Sequence, residues 1–127
     1  MEHRRKFNSN MARFLIQLVR LWEEAGSDPV VGLHHSRIAY TGRDYNYIAT
    51  WGLAHTYAAG EEDSGRTSGE WTPTPRGVRF VKGRIRIAGH IVMYNNTLRR
   101  LDNSTTISIR KALGDRFNYR ELMGYEE

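Results

Sequence analysis

Arg76, Arg79 and Lys82 lie three residues apart behind a Thr-Pro pair, so on a helix they make one cationic stripe. Arg84 and Arg86 follow at the two-residue spacing that puts side chains on one face of a strand. With Arg99, Arg100, Arg110, Lys111, Arg116 and Arg120, residues 76–120 hold eleven basic and two acidic side chains, a local excess of +9 against +5 for the whole chain. The chemistry open to such a stretch is phosphate recognition, in which Lys and Arg displace the counterions condensed on a polyanion. A second group lies upstream. Arg43, Tyr45, Asn46, Tyr47 and Thr50 are types that hydrogen-bond or stack at base edges. Arg66, in a Gly-bounded loop with Ser68, is a further phosphate contact.

Two features pull the other way. The loop that carries Arg66 also carries Glu61, Glu62 and Asp63, which repel a phosphate backbone, and the group around Tyr45 has little positive charge beyond Arg43. Both fit a surface that meets a protein instead, where Arg and aromatics such as Tyr40, Tyr45, Tyr47 and Tyr57 are favoured.

Other chemistries find less support. Of His3, His34, His35, His55 and His90, only His34 and His35 are adjacent, and neighbouring side chains diverge in a strand or a helix. There is no H-E-x-x-H and, with no Cys in the chain, no thiolate zinc site, disulfide or cysteine nucleophile. The carboxylates at 61–63 sit in a polar, Gly-bounded loop rather than in a pocket that could organise acid–base work. Gly65 to Gly69 lacks the spacing and the lysine of a P-loop. The triplets beginning at Asn95 and Asn103 match glycosylation sequons and read as turn chemistry. The expectation is a protein that is not an enzyme, with no catalytic residues, metal or cofactor.

The elements that must position these residues are signalled locally. Met11, Phe14, Leu15, Leu18, Val19, Trp22 and Ala25 share one helical face, capped by Asn8 or Ser9 and closed by Gly26 before Pro29. Val30 to Leu33 reads as a short strand, and residues 34–43 admit no assignment. Tyr45 to Trp51 fits a short helix capped by Asp44, with Gly52 as its exit and Ile48 and Ala49 facing inward. Leu53 to Ala58 and Glu70 to Thr74 read as strands around the loop 60–69, with Trp71 central to the second. Thr74 then caps a helix with Pro75 at its first position, anchored by Val78 and Val81 with Phe80 beside them, and ended by Gly83. Arg84 to Ile87 alternates polar and apolar. Ile91 to Tyr94 and Thr97 to Leu101 form a hairpin around Asn95-Asn96. Two helical turns close the chain, Ile109 to Leu113 capped by Ser108 and Tyr119 to Met123 capped by Asn118, with Glu121 completing a capping box.

This order is α+β and matches a winged helix: a helix-turn-helix core, with the recognition position at 44–51, followed by a β-hairpin wing over 53–74. The 127 residues suit a single domain, with a winged-helix-like core at 8–74 and a basic C-terminal extension at 75–127. A 39% hydrophobic content is enough for a core, and no apolar run approaches the eighteen residues of a membrane span. No secretory signal is recognisable, so a cytoplasmic protein with no membrane partner is expected.

The runs Asn8 to Arg13, Tyr47 to Leu53, Ser68 to Gly83 and Ser108 to Met123 together resemble a group of small bacteriophage and bacterial proteins of unassigned function. Many members place a zinc ribbon before this block, which a chain without Cys does not carry. The pattern Trp71-Thr72-x-Thr74-x-x-Gly77-x-x-Phe80 also resembles the strand-to-helix exit that follows the wing in winged-helix regulators. The resemblance implies a phage-encoded protein working in a bacterial host cell. The expected function is non-catalytic binding of double-stranded DNA, with base contacts from Arg43, Tyr45, Asn46, Tyr47 and Thr50. Phosphate contacts are expected from Arg66, Arg76, Arg79, Lys82, Arg84 and Arg86. The rival is an interaction protein that binds and modulates a host protein. A homodimer is compatible with the strongly amphipathic first helix.

Overall fold

A computed structural model describes residues 2–27, 33–34, 38, 44–58, 67–94, 98–115 and 117–124. The chain is α+β, with two three-stranded antiparallel sheets arranged around one central helix. Strand β1 (Glu2–Lys6) leads through Phe7 into α1 (Ser9–Glu24); β2 (Leu33–His34) and a 3-10 helix (Asp44–Ala49) precede the hairpin β3 (Ala54–Ala58) and β4 (Thr67–Pro73). Then come α2 (Pro75–Val81), the long hairpin β5 (Ile87–Tyr94) and β6 (Leu98–Ile107), and the short helices α3 (Ile109–Leu113) and α4 (Tyr119–Met123). The sheet orders are β1-β5-β6 and β2-β4-β3. Among the described residues no helix is long and apolar enough to cross a membrane.

Helix α1 forms where its periodicity says it should. The Asn8 side chain accepts the Met11 amide at 2.9 Å, satisfying one of the first-turn donors that have no partner within the helix. Its buried face is wider than one stripe, because Ala12 and Ile16 are enclosed along with Met11, Phe14, Leu15, Leu18 and Val19. The helix touches β2, the 3-10 helix, β4, α2, α3 and α4. The apolar face that a homodimer would use is therefore consumed within the chain. Ala25, expected on that face, is the exposed C-cap, and Trp22 is half-buried.

Trp51 joins the hairpin region to the C-terminal half. Its indole N–H donates to the Ala88 carbonyl of β5 at 2.7 Å, in a buried setting. Its ring meets Phe7 edge-on at 5.1 Å, and Phe7 in turn meets Phe80 of α2 edge-on at 5.5 Å. One hydrophobic cluster thus contains residues from both sides of the 74/75 boundary.

Several sequence expectations are corrected. Strand β1 has no alternating apolar pattern and was not anticipated; its partner β5 makes it a strand, with Arg4 opposite Val92 and Lys6 opposite His90. Residues 84–86 are not strand: β5 starts at Ile87, so Arg84 and Arg86 do not share a strand face. The hairpin is longer than 91–101 and runs from Ile87 to Ile107. Residues 44–49 are 3-10 rather than α-helical, and Ala49 is exposed while Ile48 and Trp51 are buried. In α2, Phe80 and Val81 are fully buried, whereas Val78 is half-buried. Within the strand expected at 30–33 only Leu33 is described, paired with Trp71. The loop tip at 60–66, with Glu61, Glu62 and Asp63, lies outside the described residues.

Candidate nucleic-acid interface

Helix α2 owes its position to two local devices. Thr74 caps it, accepting the Gly77 amide at 3.0 Å, while the same hydroxyl donates to the Gly52 carbonyl at 2.6 Å. The helix then crosses the Leu53 backbone so closely that a Cβ on Gly77 would collide with the Leu53 carbonyl oxygen. Only glycine permits that approach. The cap and the close crossing hold α2 against the exit of the 3-10 helix. A methyl placed on Gly52 would meet Cδ of Arg76 at 3.9 Å, so the Arg76 stem lies against that exit.

From Arg76 a row of cations runs along the surface. Arg79 is exposed; Gly83, at φ +78°, ends the helix, and the Arg84 amide returns to the Arg79 carbonyl at 2.9 Å. Tyr119 of α4 donates to the Val81 carbonyl at 2.6 Å, and the Arg110 guanidinium lies 4.5 Å from the Tyr119 ring centroid. These contacts bring α3 beside the end of α2, where Lys82, Gly83, Ser108, Arg110 and Tyr119 line a cleft of about 330 Å³. Arg86 reaches β6, donating from Nε to the Thr106 hydroxyl and from Nη2 to the Thr106 carbonyl, both at 3.0 Å. Among the described residues, none of Arg76, Arg79, Arg84, Arg86, Arg110 and Lys111 has a carboxylate in ion-pair range.

The remaining expected contacts fare differently. Lys82 is drawn off the stripe by Glu23 of α1, with Nζ 3.0 Å from Oε1, so it fastens α2 to α1. Tyr45 stacks on Phe14 at 4.5 Å and meets Trp71 edge-on at 5.9 Å. Tyr47 lies under the Arg5 guanidinium, 4.4 Å from its ring centroid. Both tyrosines are half-buried packing residues and do not project as free readers of base edges. Thr50 is half-buried where the 3-10 helix ends, its amide bonded to the Tyr47 carbonyl at 2.9 Å. The Asn46 backbone belongs to the 3-10 helix; its side chain, like Arg43 and Arg66, lies outside the described residues.

The sheet β1-β5-β6 carries two ion pairs. On its outer face Arg4 pairs with Asp102 at 2.9 Å, and Arg100 approaches Glu2 at 3.6 Å. The hydroxyl and amide of Ser104 both bond the Asp102 carboxylate and, aided by the charge of Arg4, lower its pKa to about 2. Among the described residues no group of three or more His, Cys, Asp or Glu is placed to hold a metal ion.

From the sequence, Arg110 and Lys111 read only as further charge, and Lys6 has no site role. Their places in the fold depend on β1 pairing and on α4 docking, neither of which has a local signal. Comparison of the chain with protein-family profiles, curated proteins and solved structures returned no match. The functional reading rests on geometry and charge.

Proposed function

We propose that this protein binds double-stranded DNA without catalysing a reaction, and does so mainly through phosphate contacts. The observation that carries the reading is the row from Arg76 through Arg79 and Arg84 to Arg110, unneutralised among the described residues. It draws cations from two sequence segments onto one surface that starts at the exit of the 3-10 helix. Carboxylates are interspersed on a surface shaped only for solubility, yet among the described residues this row has none in pairing range.

The sheet order β2-β4-β3, with a hairpin following a short helix, supports a winged-helix-like core. In that core the 3-10 helix takes the recognition position. Because Tyr45 and Tyr47 are packed away, base readout is thin, and binding tolerates many sequences. The test is fluorescence polarisation with a random-sequence duplex, comparing wild type with the Arg79→Glu/Arg84→Glu protein. Both residues are exposed and have no side-chain partner among the described residues, so the fold should survive the change. Loss of binding by the variant supports the reading. Equal affinity for both proteins refutes it and turns the basic row towards a protein partner.

A further inference from the structure

A second cationic feature lies away from α2, in the sheet β1-β5-β6. The pairing of β5 with β6 is interrupted between Ala88 and His90: Ala88 faces Thr106 and His90 faces Asp102, so Gly89 alone opposes residues 103–105. Such a bulge bends the sheet and re-aims side chains. Here it opens a cleft of about 240 Å³ lined by Lys6, Gly89, His90, Thr105, Thr106, Ile107 and Lys111. Lys6 comes from the N-terminal strand and Lys111 from the C-terminal helix α3, so the two charges converge only through the fold.

The lining is furnished with donors. A Cβ on Gly89 would sit 3.0 Å from the Thr105 hydroxyl oxygen, so glycine lets that hydroxyl lie close against the strand. The Thr106 hydroxyl oxygen already accepts from Arg86, and its own hydrogen has no acceptor among the described residues. His90 Nδ1 lies 3.5 Å from Arg4 Nη2. Lys6 and Lys111 have no carboxylate partner among the described residues. Asp102, opposite His90 in the ladder, is occupied by Arg4 and Ser104 and does not line the cleft.

Two lysines, two hydroxyls and an imidazole around a small hollow suit a tetrahedral oxyanion. The volume is below the roughly 300–1,000 Å³ of small-molecule sites. No Phe, Tyr or Trp side chain lines it to stack a base. We infer that this cleft is a binding site for a phosphate group, held by Lys6 and Lys111 with hydroxyl donors from Thr105 and Thr106. The group belongs either to a free phosphate compound or to a nucleic-acid backbone. The inference does not depend on duplex binding by the α2 row.

The test is an amide NMR titration with inorganic phosphate against sodium chloride at matched ionic strength. Wild type should show saturable shifts at Gly89, His90, Thr105, Thr106 and Lys111 at millimolar phosphate. The Lys6→Ala/Lys111→Ala protein should bind at least tenfold more weakly, while Arg79→Glu/Arg84→Glu should bind phosphate as wild type does. Shifts that never saturate, that chloride reproduces, or that survive in the double-lysine variant overturn the site. Duplex DNA is then added to the phosphate-loaded protein. Displacement of phosphate from these amides assigns the site to the backbone, and retention assigns it to a free phosphate compound; the inference holds in both cases.

Discussion

Replacing Trp51 with Phe tests whether one core joins the hairpin region to the C-terminal half. The change keeps an aromatic ring against Phe7 but removes the indole N–H that reaches Ala88 across the interior. Losing that bond costs about 1–3 kcal/mol, the upper end applying if the Ala88 carbonyl has no other partner. The smaller ring vacates roughly 40 Å³, which at about 24 cal/mol per Å³ adds about 1 kcal/mol. The sum is about 2–4 kcal/mol, and at about 3–5 °C per kcal/mol for a chain of this size the melting temperature should fall by about 6–20 °C. The assay is thermal unfolding followed by amide NMR in two regions: signals of β3 and β4 report one sheet, and signals of β5 and β6 report the other. Both should move together. A fall of less than about 3 °C, or a transition confined to one sheet, would refute the claim that Trp51 couples the two regions.

Other perturbations follow from the same contacts. Gly77→Ala gains about 1 kcal/mol of helix propensity but forces a methyl onto the Leu53 carbonyl, an overpacking of about 1–3 kcal/mol or more. Net destabilisation is therefore expected in a denaturant melt, and a neutral or stabilised variant would contradict the close crossing. Thr74→Ala removes the α2 cap and should lower stability by about 1 kcal/mol, read as a shift in the urea midpoint at unchanged slope. The Asp102 carboxyl should titrate by NMR near 2, below its ordinary 3.8. Because the folded-state pKa is depressed, this group's contribution is full above the unfolded value and is lost as pH falls through about 2. Ser104→Ala should move the midpoint upward, and an unmoved midpoint would remove Ser104 as the main cause.

What was legible in the sequence was what local chemistry controls. Asn8, Thr74, Ser108 and Asn118 cap the helices that their spacing indicates. What escaped depends on partners distant in the chain. The segment Glu2 to Lys6 has no apolar alternation and becomes a strand because β5 offers an edge. Tyr45 and Tyr47 look like free contact residues until Phe14, Trp71 and Arg5 close over them. Lys82 looks like the third member of a stripe until Glu23 is found beside it. The cationic row was half visible: Arg76, Arg79 and Arg84 were legible as a run, whereas the addition of Arg110 needed α3 beside α2.

The most direct test of the DNA-binding reading is the salt dependence of duplex affinity. If Arg76, Arg79, Arg84 and Arg110 each engage a phosphate, the plot of log affinity against log salt has a slope of about −3.6, and affinity falls about 150-fold from about 50 to 200 mM salt. In an Arg79→Ala/Arg84→Ala protein the slope should flatten to about −1.8, a loss of about 12-fold over the same range. A wild-type slope flatter than about −2, or no binding at about 50 mM salt, would contradict the proposal that this basic row is a phosphate-binding face.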